Sequence, residues 1–121
     1  MATVTLTLRD GLTIGETVHR EAEIREAAAG DVLDAMAEAE RVVLVEGNPE
    51  LLQSPARMAL ALLRRRIVRI GSFEGPFTPE IVKKLSAADL EALQHESARL
   101  DTASLKEALS TAGKTPSAPA E

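Results

Sequence analysis

The clearest pattern in the sequence is an apolar stripe across residues 55–70, which predicts a long helix. Pro55 follows Ser54, and proline at the first helical position is a common helix start. Apolar side chains then recur at spacings of three, four and three residues, at Leu60, Leu63, Ile67 and Ile70. Gly71 follows as a stop. A chain of 121 residues with 45% apolar residues can bury one modest core around such a helix.

The amino terminus shows the period of two that is typical of a strand. Threonines alternate with apolar residues over residues 3–8, and residues 9–11, Arg-Asp-Gly, have the chemistry of a turn. A second extended segment is predicted over residues 17–25, where Ala22 and Ile24 share one apolar side. Together the two segments predict an antiparallel β-hairpin with a wide connection through Ile14 and Gly15.

The middle of the chain carries a helix signal followed by a strand signal. Asp31 can accept hydrogen bonds from first-turn amides, which predicts a helix over about residues 32–39. The inward side of this helix is predicted to carry Leu33, Met36 and Ala37. Residues 42–45 favour a short strand, although four apolar residues could equally extend the helix. Residues 47–49, Gly-Asn-Pro, are expected to end that run.

Two further helix starts follow in the last third of the chain. Proline after Thr78 predicts a short helix to about residue 85, and Ser86 followed by Asp89 has the form of a capping box. The helix after Ser86 has a stripe at Leu90, Leu93, Ser97 and Leu100. Residues 102–112 add a weak helix, and the composition of residues 113–121 predicts a disordered tail.

These elements predict one α+β domain over residues 1–112. It consists of an amino-terminal antiparallel β-hairpin, with a third short strand at residues 42–45, packed on three or four helices. No internal repeat and no second domain are evident in the sequence.

Charge and composition exclude several classes of function. The chain has 14 basic and 19 acidic side chains, a net charge of −5 and 2% aromatic residues, which disfavours general nucleic-acid binding. It has no cysteine, which excludes disulfides, thiolate zinc sites and cysteine nucleophiles. The longest apolar run, residues 58–63, is too short to cross a membrane, and the amino terminus lacks a signal-peptide pattern. We therefore expect a soluble cytoplasmic protein.

No constellation of side chains predicts catalysis. His19 and His95 lie on different predicted elements, and a structural metal site needs four ligands. Glu21 and Glu23 share one face of the second strand, but a solvated strand face has the same pattern. The sequence thus predicts no catalytic residue, no metal site and no cofactor.

Five arginines lie within residues 57–69, with no acidic residue between them. They can be structural, because cations stabilise a helix carboxyl end and the acid-rich residues 16–40 can pair with them. They can also bind nucleic acid, or a protein partner, since arginine is favoured at interfaces. Composition favours the structural interpretation and leaves the other two open.

Three stretches of the chain follow a pattern known from one protein family. The first is residues 23–31, Glu-Ile-Arg-Glu-Ala-Ala-Ala-Gly-Asp, which is similar to a Leu-Arg-x-Pro-x-x-Gly-Asp signature. The others are residues 62–71, followed by Gly75-Pro76-Phe77, and residues 85–93. Taken together, over roughly residues 3–100, the chain resembles the tail assembly chaperone family of contractile-tailed bacteriophages, Mu-like and P2-like. It departs from the signature where isoleucine replaces leucine and alanine replaces proline.

The resemblance implies a non-enzymatic protein of phage tail morphogenesis in the host cytoplasm. It implies binding to amphipathic helical segments of the tape measure protein, which is kept soluble until the tail tube protein polymerises around it. The chaperone would then be absent from the finished tail. Such proteins are often made as two products by ribosomal frameshifting. A homo-oligomer and direct contact with the tail tube protein are left open.

We predict that the contact surface combines the helix of residues 55–70, with its arginine edge, and the apolar side of the helix after Ser86. Its residues are Leu60, Leu63, Arg65, Arg66, Arg69, Leu90 and Leu93. The alternative is that both stripes form the core, which is the favoured interpretation for Leu63 and Ile67 individually. Two rival functions remain, a minor tail or baseplate component retained in the virion and a small DNA-binding regulator.

Overall fold

The computed structural model describes residues 2–113 and has an α+β fold, as predicted. In chain order the elements are β1 (Thr3–Ile14), β2 (Thr17–Arg25), α1 (Ala29–Ala39), β3 (Glu40–Val45), β4 (Asn48–Gln53), α2 (Pro55–Arg66), β5 (Ile67–Ile70), α3 (Pro79–Val82) and α4 (Ala87–Gly113). An antiparallel sheet in the order β1-β2-β5 and a separate sheet of β3 and β4 pack with the four helices. Of the tail predicted for residues 113–121, everything after Gly113 lies outside the described residues.

β1 and β2 form the predicted hairpin, but β1 is longer than predicted. The strands pair regularly over residues 3–7 of β1 and again near its end, with a shift of register between. Residues 9–11 are therefore a β-bulge and not a turn, and the chain turns at residues 15–16, in agreement with the connection predicted through Ile14 and Gly15. Gly11 permits the bulge, since its φ is +84° and a Cβ there would lie 2.7 Å from the His19 carbonyl oxygen.

The bulge is held by the buried carboxylate of Asp89 in the first turn of α4. Asp89 is 1% exposed and accepts hydrogen bonds from the amides of Arg9, Asp10 and Gly11, at 2.7, 3.0 and 2.8 Å. The Asp89 amide donates to Ser86 Oγ at 3.2 Å, as the capping-box pattern predicts. The carboxylate therefore fixes the start of α4 against β1.

The end of the helix predicted over residues 55–70 is instead strand β5. It pairs with β2, and its backbone is already extended at Ile67, with φ −75° and ψ 116°. Ile67 and Ile70 are buried, whereas Val68 is exposed. Residues three apart face opposite sides of a regular strand, so the irregular register of this pair is what places both isoleucines in the core. The helix prediction is wrong after Arg66.

Residues 42–45 are part of a strand, as predicted, but the strand belongs to a separate hairpin. β3 pairs antiparallel with β4, which the sequence analysis did not predict. Glu46 and Gly47 both have positive φ, 52° and 84°, as in the two-residue turns that favour hairpins. Residues 47–49, predicted only as a stop, thus complete a turn and begin β4. We call residues 40–53 the hairpin arm.

α1 buries a different side from the predicted one. Leu33 and Met36 are 63% and 39% exposed, and Ala37 is exposed as well. The buried residues are Ala35 and Ala39. α1 packs on α2, and small side chains on the packed side let two helices approach closely. The larger side chains of α1 therefore face outward.

The core lies between the sheet β1-β2-β5 and helices α2, α3 and α4. Its buried members are Leu8, Leu12, Ala22, Ile24, Leu63, Ile67, Ile70, Phe77, Val82 and Leu93. α3 begins after Thr78 as predicted but is shorter, and α4 is one helix that includes the separately predicted residues 102–112. Within residues 2–113, no helix is long and apolar enough to cross a membrane.

Candidate functional site

Arg66, the last residue of α2, is buried, although arginine is normally exposed. Its guanidinium forms a bidentate ion pair with Asp101 of α4, with N–O distances of 2.7 and 3.0 Å. Its Nε donates to the Arg25 carbonyl oxygen at 2.9 Å, and its Nη2 donates to the Ser97 carbonyl oxygen at 3.4 Å. Arg66 thus joins α2 to α4 and to the end of β2.

Arg64 and Arg65 share one carboxylate, that of Glu38 on α1. Arg64 Nη2 and Arg65 Nη2 both pair with Glu38 Oε1, the second at 2.8 Å. Burial alone would raise the pKa of the Glu38 carboxyl, but hydrogen bonds from Arg65 and Arg64 outweigh it and the pKa is lowered. These contacts hold α1 against the carboxyl-terminal half of α2.

Arg69 makes the equivalent link within the sheet. It lies on β5 and pairs with Glu23 at 3.0 Å and with Glu21 at 3.2 Å, both on β2. Glu21 and Glu23, the carboxylates that share a strand face, are therefore arginine partners. Arg64, Arg65 and Arg69 thus pair with carboxylates of the acid-rich residues 16–40, as the structural interpretation predicts, and partner binding by these arginines stays a prediction.

A further ion pair ties the start of α1 to the sheet. Arg25, the last residue of β2, donates to both carboxylate oxygens of Asp31, at 2.7 and 3.0 Å. The Asp31 carboxylate also accepts the Ala28 amide at 2.8 Å, so Asp31 caps the helix from its third position and not from the predicted cap position. The hydrogen bonds from Arg25 lower the pKa of Asp31 from 3.8 to about 2.

An open groove of about 320 Å³ lies between α2 and α4. Its apolar lining comes from Ala59, Leu62, Leu63 and Ala98, and its polar lining from Gln94, Ser97, Asp101 and Arg66. Ser97 is 6% exposed, and its Oγ has no hydrogen-bond partner among the described residues. A buried hydroxyl without a partner is unusual, so the groove combines an apolar floor with one unused polar group.

The four leucines of the predicted contact surface lie in or against the core. Leu63 and Leu93 are 3% and 0% exposed, and Leu60 and Leu90 are partly buried and pack against the core cluster. For Leu63 and Ile67, which is 6% exposed, the core alternative is confirmed. A partner can therefore reach only the edges of this predicted surface in the folded protein.

Only Leu63 and Arg66 of the predicted contact residues line the groove. Arg65 and Arg69 are half-buried in the ion pairs described above, and partner binding by any of these residues stays a prediction. The sequence analysis missed most of the lining, namely Ala59, Leu62, Gln94, Ala98 and Asp101. The one sign of the groove in the sequence was Ser97, a serine within the apolar stripe of α4. The groove itself depends on how α2 and α4 cross, which local patterns do not report.

The histidines lie apart from the groove and from each other. His19 on β2 accepts the Ser72 amide through Nδ1 at 3.4 Å, whereas His95 on α4 is 72% exposed. Gly71 lies beside the His19 ring. It must remain glycine, since its φ is +62° and a Cβ would collide with that ring. In the part of the chain that the structure describes, no three His, Asp or Glu side chains are placed to hold a metal ion.

Comparison with known proteins gives a consistent result over most of the chain. Residues 8–114 match the model of a family described as tail assembly protein gp41. The chain is 40% identical over 92 residues to the probable tail assembly protein gp41 of Escherichia phage Mu, covering 73% of this chain and 64% of that protein. It is 41% identical over 86 residues to the Mu-like prophage FluMu protein gp41 of Haemophilus influenzae, covering 70% of this chain and 68% of that protein.

A longer relative, the probable tail assembly protein FS-gp41 of phage Mu, is 40% identical over 92 residues, which are 49% of its length. The chain thus spans 64% and 49% of the lengths of the two phage Mu relatives. No solved structure matches the chain.

Proposed function

Because the chain belongs to the gp41 family of phage tail assembly proteins, we propose that it is a chaperone of tail morphogenesis. Its partner in this proposal is the tape measure protein. The chain covers amphipathic helical segments of that partner until the tail tube protein polymerises around them. It does so without catalysis, in the cytoplasm of the bacterial host.

The observation that carries the proposal is the groove between α2 and α4. Its volume of about 320 Å³ is at the lower end of the range of about 300–1,000 Å³ for ligand sites, so it suits a few side chains better than a large ligand. Its lining surface is mostly apolar, and its exposed polar residues are Gln94 and Asp101. This combination suits one side of an amphipathic helix, with apolar side chains inside and polar side chains at the rim.

Two considerations favour a helix that binds along the groove. Apolar side chains three or four residues apart on a helix share one side and can enter the groove together. The exposed side chains of Gln94 and Asp101 can bond polar groups of the incoming segment. Each such site is of modest strength, and repetition along a long partner multiplies the overall affinity.

The rival functions have less support from the structure. A DNA-binding regulator needs cations that are available to phosphates, whereas Arg64, Arg65, Arg66 and Arg69 all pair with carboxylates. Family membership is equally compatible with a structural component of the virion. Such a component differs from a chaperone in that it is present in the finished particle. Mass spectrometry of purified particles detects such a component in stoichiometric amount, and the chaperone proposal expects it to be absent.

The direct test is co-expression with the tape measure protein of the same phage or prophage. We expect the tape measure protein to be soluble and to co-purify with the chain, and to aggregate when expressed alone. A partner that stays insoluble and unbound in the presence of the chain contradicts the chaperone proposal, leaving family membership as the finding.

A further inference from the structure

One side of the hairpin arm is apolar and uncovered. Strand alternation places two cross-strand pairs on it, Val42 with Leu51 and Leu44 with Pro49. Val42, Leu44 and Leu51 are 70%, 75% and 62% exposed. We call these four residues the arm face. Arg41 and Glu50 alternate onto the opposite side of the arm, and the charged residue on the side of the arm face is Glu40, opposite Gln53 at the base of the arm.

The arm face continues onto α1. Gln53 lies on the same side of the arm at its base, and its Nε2 donates to the Met36 carbonyl oxygen at 3.3 Å. α1 therefore approaches the arm from the side of the arm face. Met36 and Leu33, three residues apart on α1, are exposed as well, and Met36 is next to the base of the arm.

Exposure of this apolar face to water is unfavourable for the arm. A two-stranded hairpin is marginally stable by itself, and neither β3 nor β4 joins the sheet β1-β2-β5. An apolar sheet face is normally stabilised by packing on a second sheet or on helices. The arm face has the alternation and the apolar surface for such packing, and α1 is joined to its base through Gln53.

The area of this surface matches what a dimer requires. A standard interface buries about 800 Å² per partner, of which about 60% is apolar, so it needs on the order of 500 Å² of apolar surface per copy. Leu33, Met36 and the arm face expose apolar surface on the same order, about 500 Å², near the upper limit for the largest patch of a typical monomer.

We propose that two copies of the chain associate through their arm faces around a twofold axis. One apolar patch is complementary to itself, as a twofold interface requires, and the four residues of the arm face carry no charge that the interface would bury. An axis that lies in the interface, perpendicular to the strands, places the tip of each arm over the base of the other. Leu44 and Pro49 of one copy then cover Val42 and Leu51 of the second copy, and Glu40 lies at the edge of the interface.

The same arrangement leaves the charged residues at the ends of the interface, where water reaches them. Glu46 at the tip of one arm lies over the base of the other arm, where Glu40 is, and both residues are exposed. The groove between α2 and α4 shares no residue with the arm face, so this proposal is independent of the chaperone function.

The test is the mass of the purified full chain by sedimentation equilibrium, with the double variant Leu44→Glu, Leu51→Glu. We expect wild type at twice the chain mass of 12.9 kDa and the variant at the single mass, with at least a tenfold weaker association. The matched control is Leu105→Glu, Leu109→Glu, at positions on α4 that are 60% and 63% exposed and outside the arm. The control should remain a dimer. A wild-type monomer at 100 µM, or a variant that stays dimeric, overturns the proposal.

A second measurement does not depend on the folding of the charged variant. The chain has no cysteine, so Leu51→Cys and Leu109→Cys each introduce a single thiol at similarly exposed leucines. Oxidation should cross-link the Leu51→Cys protein into a dimer at least tenfold faster than the Leu109→Cys protein. Equal rates overturn the proposal.

Discussion

At the scale of single residues, Asp89 contributes most to the shape of β1. Its carboxylate accepts three backbone amides from the bulge and is 1% exposed, so each of those amides would lose its partner without it. Hydrogen bonds to charged groups stabilise proteins by about 1.5–3 kcal/mol each, net of the hydrogen bonds to water that they replace. The bulge, and with it the attachment of α4, therefore depends on one side chain.

We predict that Asp89→Asn lowers the free energy of unfolding by about 3 kcal/mol, because the amide keeps one acceptor oxygen and turns an NH₂ group toward backbone donors. Urea unfolding at fixed protein concentration measures the change. Asp34→Asn, at an exposed position of α1, is the matched control and should stay within about 0.5 kcal/mol of wild type. A similarly small effect of Asp89→Asn would contradict the role assigned to this carboxylate.

At the scale of elements, ion pairs position the helices on the sheet. Arg25 and Asp31 join β2 to α1, while Arg66 and Asp101 join α2 to α4. The Asp31 pair gives a signature in the pH dependence of stability. Its folded pKa of about 2 lies below the unfolded value of 3.8, so its contribution is present above pH 4 and is lost as the pH falls toward 2.

We predict that Asp31→Asn is less stable than wild type by about 2 kcal/mol at neutral pH, since its side chain is only 16% exposed. The difference should shrink between pH 4 and pH 2, which urea unfolding across that range measures. In Asp34→Asn the acid dependence of wild type should persist. A difference for Asp31→Asn that is constant from pH 7 to pH 2 would show that the ion pair is not its source.

The same elements show which features local patterns reveal. The β1–β2 hairpin, the start of α2 at Ser54 and the start of α3 at Thr78 were predictable, because alternation and caps are set by neighbouring residues. Strand β5 was not predictable, since spacings of three and four residues fit a helix. Only pairing with β2 makes residues 67–70 a strand. The buried side of α1 was also unpredictable, because packing on α2 selects alanines over larger side chains.

At the scale of the whole molecule, both proposed binding surfaces are products of tertiary structure. The groove needs α2 and α4 to lie side by side, although Leu62 and Ala98 are far apart in sequence. The predicted contact residues followed the apolar stripes of those helices, and stripes mark the core before they mark a partner surface. Apart from Leu63 and Ser97, the groove is lined by residues beside the stripes.

The central claim is that this groove binds an amphipathic helix of the tape measure protein, and two substitutions on α4 test it most directly. Ala98 lines the groove, whereas Ala103, five residues later, is exposed outside it. Affinity for the co-expressed tape measure protein is measured by titration for Ala98→Glu and Ala103→Glu. We predict a loss of roughly tenfold, about 1.4 kcal/mol, for Ala98→Glu, and a change below about twofold for Ala103→Glu. Equal affinities for the two variants would contradict the claim.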